Sequence, residues 1–166
     1  MSKILAAFYS ATNVTAKLSK KLAEAVGANL YEIKPAQPYT KADLNWRDQN
    51  IQSSIEMKDR SFRPALAEMN ANISEYDTIL LGFPIWWYVA PRIIQSFLEA
   101  YDYSGKTIIV FATSGSSGFG NTVTELRNSV SDSAVIKEGK RFGMISARIG
   151  LKKWIETLGL TQQGIK

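Results

Sequence analysis

The chain reads as an α/β protein, a three-layer, doubly wound parallel sheet with helices on both faces. Three observations carry that reading. Strand-like apolar runs alternate with helical patterns along the length, which calls for parallel strands joined by crossover helices. Two of those runs, Thr78–Phe83 and Thr107–Ala112, are apolar almost without interruption, as central strands buried on two faces are. An apolar run at the start empties directly into small hydroxyl and turn residues that open a helix, so the unpaired N–H groups of the first helical turn face the end of a strand.

Taken in order, the first strand is Ile4–Tyr9. The helix after it carries Val14, Leu18, Leu22, Ala25 and Val26 on one stripe and stops at Gly27, a residue suited to a left-handed C-terminal turn. A second strand spans Asn29–Ile33, and Thr78–Phe83 and Thr107–Ala112 form the centre of the sheet. The helix between those two starts after Pro91 and turns Ile93, Ile94, Phe97 and Leu98 toward the sheet, proline being well placed in a first helical turn. A fourth helix starts at Asn121 or Thr122. A weaker fifth strand lies within Ala134–Phe142, where Gly139 is expected to interrupt it, and the last helix carries Ile149, Trp154, Ile155 and Leu158.

Lys34 to Arg63 is a polar stretch with Pro35 and Pro38 inside it and Pro64 just beyond, far longer than the roughly 2–6 residues usual for such connections. Thr40-Lys41-Ala42-Asp43 offers a cap for a short helix leading to Trp46, and Trp46, Ile51, Ile55, Met57 and Phe62 give the segment apolar surface to bury. A folded-down flap is expected, although a loop that merely covers a sheet edge or helix face fits equally.

Composition narrows the chemistry. With 166 residues, 45% of them hydrophobic, residues 1–166 suit one domain with its own core. The absence of cysteine and histidine excludes disulfides, thiolate nucleophiles, the common zinc and haem ligand sets and imidazole acid–base catalysis. No metal site is expected, and no side chain is singled out as catalytic. The apolar run after Met1-Ser2-Lys3 is too short for a signal-peptide core or a membrane span, so a cytoplasmic protein without membrane contact is expected. The net charge is +5, but lysines and arginines are dispersed among carboxylates, and Lys20-Lys21 and Lys152-Lys153 fall on helical patterns. Solvated helix faces explain them, and nucleic acid is not expected as a partner.

In an open parallel sheet, ligands bind beyond the carboxyl ends of the strands, where three loops meet. Ser10, Ala11, Thr12, Asn13, Val14 and Thr15 follow the first strand. Their hydroxyls, together with the N–H groups and dipole of the helix start, suit one phosphate. Asn13 tolerates the left-handed backbone that such a loop uses. The loop contains neither the lysine of a triphosphate P-loop nor the glycines of a dinucleotide fingerprint; an ordinary capped helix start is the rival explanation. Pro84, Ile85, Trp86, Trp87 and Tyr88 follow the third strand, with Pro91 beyond. They read as a stiff aromatic wall on which an extended ring can stack, or else as core or interface packing. Thr113, Ser114, Gly115, Ser116, Ser117 and Gly118 follow the fourth strand and offer approachable backbone and hydroxyl groups for the polar edge of a ring. One phosphate, a polyol-length spacer and a planar heterocycle together describe FMN.

These residues resemble the flavodoxin family over nearly the whole chain, in particular its single-domain flavodoxin-like branch. Ser10-Ala11-Thr12-Asn13-Val14-Thr15 is similar to the family's phosphate loop, with Asn13 in place of its glycine. Gly82-Phe83-Pro84-Ile85-Trp86-Trp87 and Phe111-Ala112-Thr113-Ser114-Gly115-Ser116 carry the likeness after the third and fourth strands, and Pro38-Tyr39-Thr40, Glu56-Met57-Lys58 and Arg63-Pro64 carry it around the insertion. The resemblance implies a five-stranded sheet of order 2-1-3-4-5 and non-covalent FMN, with the phosphate on the first loop and the ring between the other two. Family members that dock basic partners are acidic, whereas this chain is basic, so that docking mode is not expected. A net positive field should favour the anionic reduced ring. No glycine lies between Pro84 and Pro91, which disfavours the peptide turnover that stabilises one-electron reduction and implies a bias toward two-electron transfer.

Three functional expectations follow. One is an FMN-dependent oxidoreductase drawing electrons from a reductase or reduced nicotinamide and serving a small acceptor under the flap, with Trp46, Glu56 and Arg63 as candidate pocket residues. Another is a non-enzymatic electron carrier whose partner protein covers the flavin edge near Trp87 and Tyr88. A flavin-free interaction module that keeps the fold is a third. A phosphorylated receiver domain is set aside because the first strand has no carboxylate, and a low-molecular-weight tyrosine phosphatase because there is no cysteine. A Trp-rich rim makes dimerisation conceivable.

Overall fold

A computed structural model describes residues 3–40, 42, 52–86, 89–114, 118–143 and 147–159. Five parallel strands, β1 (Ile4–Phe8), β2 (Asn29–Glu32), β3 (Thr78–Pro84), β4 (Thr107–Thr113) and β5 (Val135–Phe142), lie in the order 2-1-3-4-5. The helices are α1 (Val14–Val26), α2 (Gln52–Lys58), α3 (Arg92–Glu99), α4 (Thr122–Arg127) and α5 (Ala147–Leu158).

Alternation along the strands builds the two cores. Leu5, Ala7, Ile79, Leu81, Phe83, Ile108, Val110 and Ala112 face α3 and α4, where Ile93, Ile94, Phe97, Leu98 and Leu126 meet them. Ala6, Leu80, Ile109 and Phe111 face the opposite way, against Leu18, Leu22 and Val26 of α1 and Leu151, Trp154 and Ile155 of α5. On α1 the buried stripe differs from the expected one: Ala25 is exposed, and Ser19 and Ala23 are buried instead. Among the described residues Ser19 Oγ has no hydrogen-bond partner. Ser19→Ala is therefore expected to raise the unfolding free energy by about 1 kcal/mol, since it removes an unsatisfied buried donor from a helix interior, as chemical denaturation will show.

Two glycines admit neighbours that a side chain would displace. Gly82 pairs with Phe111 across β3 and β4, and a Cβ there would lie 2.3 Å from that ring. Gly139 does not end β5. It sits where the β4–β5 register shifts between Val110 and Ala112, an extra residue in the longer strand, and a Cβ on it would lie 2.3 Å from the Val110 carbonyl oxygen and 2.6 Å from the Trp154 ring. Gly139→Ala is expected to destabilise by about 1–3 kcal/mol, the usual cost of overpacking, with the loss read from the urea midpoint.

The insertion is partly described. Its neck is an antiparallel bridge between Pro35 and Leu66, closed by Ala36 N to Ala65 O and Ala67 N to Lys34 O, both 2.8 Å. Ser54, Glu56 and Met57 of α2 are buried, Phe62 is half-buried, and Ile55, expected inside, is 48% exposed. The proposed cap at residues 40–43 and its helix toward Trp46, and Ile51, lie outside the described residues except Thr40 and Ala42. The flap is fastened by one buried residue that the sequence reading passed over. Arg92, 3% exposed at the start of α3, donates from Nη2 to the Met57 carbonyl at 2.9 Å and from Nε to the Glu56 carbonyl at 3.4 Å, and pairs through Nη1 with Glu125 Oε1 at 3.0 Å. It thereby satisfies the Met57 carbonyl at the end of α2, which the helix cannot bond itself, and ties α2, α3 and α4 together. No helix among the described residues is long and apolar enough to cross a membrane.

Candidate functional site

The carboxyl ends of β1, β3 and β4 bring the three loops to one edge of the sheet. After β1, the backbone turns left-handed at Asn13, φ 71°, which caps α1 without a side-chain bond. An asparagine supports that conformation at modest cost. Ser10 Oγ accepts the Ala16 N–H at 3.1 Å, which leaves its own hydroxyl proton free to donate outward. Thr12 and Asn13 are exposed, Ala11 and Val14 half-buried, and the first turn of α1 holds no acidic residue. Unpaired helical N–H groups, nearby hydroxyls and no opposing carboxylate suit a phosphate. Thr15 is buried, with Oγ1 2.8 Å from Thr113 Oγ1. That hydroxyl pair bolts the first loop to the third.

The second loop leaves β3 at Pro84. Ile85 N donates to the Thr113 carbonyl at 3.0 Å, and Trp86 and Val89 exchange backbone hydrogen bonds of 2.9 and 3.1 Å. Trp87 and Tyr88 lie outside the described residues. Trp86 is half-buried. Its indole packs edge-to-face on Tyr9 at 5.8 Å and on Tyr39 at 5.4 Å, and those two rings are 6.1 Å apart. Edge-to-face contact is the favoured geometry for such rings, so the trio joins the end of β1, the flap and the second loop.

In the third loop Ser114 N donates to the Phe142 carbonyl at 3.1 Å, and Arg141 Nη1 donates to the Ser114 carbonyl at 3.2 Å. Gly118 is exposed, and Gly115, Ser116 and Ser117 lie outside the described residues. Arg141, on β5, places a cation beside this loop. Nothing local in the sequence of β5 marks which of its residues reaches the loop at the end of the neighbouring strand β4.

Of the three candidate pocket residues, Trp46 lies outside the described residues. Glu56 is buried and accepts the Tyr39 hydroxyl. Arg63 turns away to form a two-oxygen pair with Glu99 at 3.0 Å, so it braces the flap on α3. Tyr9, 3% exposed, has its phenol pushed well above the ordinary range, first by burial and then by the Glu56 charge; Tyr103 is raised in the same direction by burial, then by Tyr101 and Tyr31. The unfolded chain gives up these protons first, at about pH 10. Stability is thus fully present below that pH and is expected to fall above it by up to about 1.4 kcal/mol per pH unit for each tyrosine, as urea titrations across the alkaline range can measure.

Solved structures extend the comparison. A protein of Bacteroides uniformis described as a candidate flavoprotein is 47% identical, with 93% of this chain matching 98% of that one at a TM-score of 0.86. A flavoprotein of Lactobacillus acidophilus in complex with FMN shares the fold at 21% identity, 93% of this chain covering 99% of that one, TM-score 0.66. Among curated proteins, an uncharacterized NAD(P)H oxidoreductase of Escherichia coli, YcaK, is 27% identical over 41 residues, 25% of this chain and 21% of that protein. This chain therefore matches only about a fifth of that relative's length. A family model described as flavodoxin matches residues 3–158, from before β1 to the end of α5, and the chain belongs to the flavodoxin family.

Proposed function

We propose that this protein binds FMN at the convergent loop edge and transfers electrons through it, as a two-electron oxidoreductase that takes reducing equivalents from a nicotinamide donor or a reductase and passes them to a small acceptor. One observation carries the reading: the Thr15–Thr113 hydroxyl pair joins the phosphate-type loop to the loop assigned to the ring, so one ligand can span both. The cofactor is FMN. Ser10, Thr12, Asn13, Thr15 and the first N–H groups of α1 hold its phosphate, while Pro84–Tyr88 and Thr113–Gly118 flank the ring. The left-handed Asn13 and the carboxylate-free first turn of α1 fit that anion. When bound, FMN supplies the redox chemistry. The chain orients it, limits water through the flap, and sets the local charge through Arg141 and the overall +5. Membership of the flavodoxin family and the nicotinamide-oxidoreductase name of the matched relative support the donor class.

The absorption spectrum of the purified protein before and after adding FMN tests the cofactor. Flavin bands that persist after desalting are expected; a colourless protein that takes up no FMN would overturn the reading and leave a non-redox interaction module. Direct oxidation of NADPH or NADH by the loaded protein is expected. Reduction only when a partner reductase is present would instead establish the carrier, which the basic surface would pair with acidic partners.

A further inference from the structure

We infer that the cavity between the flap, α3 and α4 is a binding site for a small organic anion with an apolar body, separate from the FMN phosphate site. Its volume is about 270 Å³, just under the range usual for ligand pockets, which suits a one- or two-ring molecule. Three segments wall it: Met57 and Arg60 from the flap, Val89 and Arg92 around the start of α3, and Gly120, Asn121 and Glu125 around the start of α4. None of residues 10–15 lines it. Val89 and Gly120 follow the second and third loops directly, so the cavity lies beside the edge where those loops meet.

The polar groups divide by whether they are already bonded. Arg92 is spent, since its guanidinium serves the Met57 and Glu56 carbonyls, Gln95 and Glu125. Glu125 is neutralised by that same contact at 3.0 Å. Arg60, exposed at the end of the flap helix, has no partner for its guanidinium among the described residues, and neither has the Asn121 carboxamide, which caps α4 without a side-chain bond. A forked guanidinium and a carboxamide are matched by the two oxygens of a carboxylate. Met57 and Val89, 8% and 9% exposed, supply an apolar wall. The lining carries two guanidinium charges against one carboxylate, so an anion enters with the field and a cation against it.

The test compares 2-naphthoate with uncharged 2-naphthamide by isothermal titration, using the protein as purified and again with excess FMN. The expected result is at least tenfold tighter binding of the naphthoate, with the preference lost in Arg60→Gln, an exposed position whose change leaves the fold intact. Asn121→Ala is expected to weaken naphthoate binding several-fold. Equal affinity for the two probes, a preference that survives Arg60→Gln, or no naphthoate binding would overturn the site. Two controls bear on its identity. Inorganic phosphate binding in place of naphthoate would overturn the apolar component, and release of FMN as naphthoate is added would show that the cavity is the flavin's own ring site.

Discussion

Replacing Thr12 and Thr15 together with alanine is expected to lower the affinity for FMN by about two to four orders of magnitude, since each charge-assisted hydrogen bond lost is worth about 1.5–3 kcal/mol and about 1.4 kcal/mol is tenfold. The two single variants separate the causes. Thr12 is exposed and makes no side-chain hydrogen bond among the described residues, so Thr12→Ala should weaken FMN binding and leave the flavin-free protein as stable as before. Thr15 is 2% exposed and bonded to Thr113, so Thr15→Ala also strands a buried hydroxyl. It is expected to lower the stability of the flavin-free protein by about 1–3 kcal/mol, and Thr15→Ser should restore much of it. Fluorescence quenching of FMN gives the affinities and urea unfolding the stabilities. Unchanged affinity in the folded double variant would show that the phosphate sits elsewhere.

The largest loss of stability is expected from Arg92→Met. The substitution keeps an apolar stem of similar length but removes the guanidinium, leaving the Glu125 carboxylate and the Met57 carbonyl without their partner. Breaking a buried pair in this way costs about 3–5 kcal/mol, and the lower end applies because the Glu125 side chain remains 19% exposed. Arg92→Lys should recover only part of the loss, as an ammonium cannot serve three directions with a planar fork. Because the contacts run to the end of α2, limited proteolysis of the flap should speed up alongside the drop in the urea midpoint. An unchanged midpoint and an uncut flap would mean that the flap is held by other contacts. By contrast, Arg63→Ala, which removes a half-exposed pair with Glu99, should cost no more than about 1 kcal/mol.

The fold was legible because its signals are local. Continuous apolar runs marked β3 and β4, the 3.6-residue stripe marked α3, and Gly27 and Pro91 punctuated the helices where the structure places a left-handed cap and the N-terminal boundary of α3. The strand–loop–helix junction at residues 10–15 was legible for the same reason: its parts are contiguous, and the left-handed backbone at Asn13 arises within six neighbouring residues. Misplacements occurred where the deciding contact is distant in sequence. The Cβ space at Gly139 is set by Val110 and Trp154, and the exposure of Ile55 by how α2 docks.

Taken alone, then, the sequence determined the strand order through its family likeness, the segments that reach the candidate edge, and the lack of thiol and imidazole side chains. Only the tertiary structure decided which polar groups are consumed within the fold: Arg92, Glu56 and Arg63 are taken up in holding the flap, while among the described residues Thr12 and Arg60 keep their donors. The physical reason is that a side chain's residue type fixes what it can bond, but its partners come from segments tens of residues away, brought together only when the two faces of the sheet are packed.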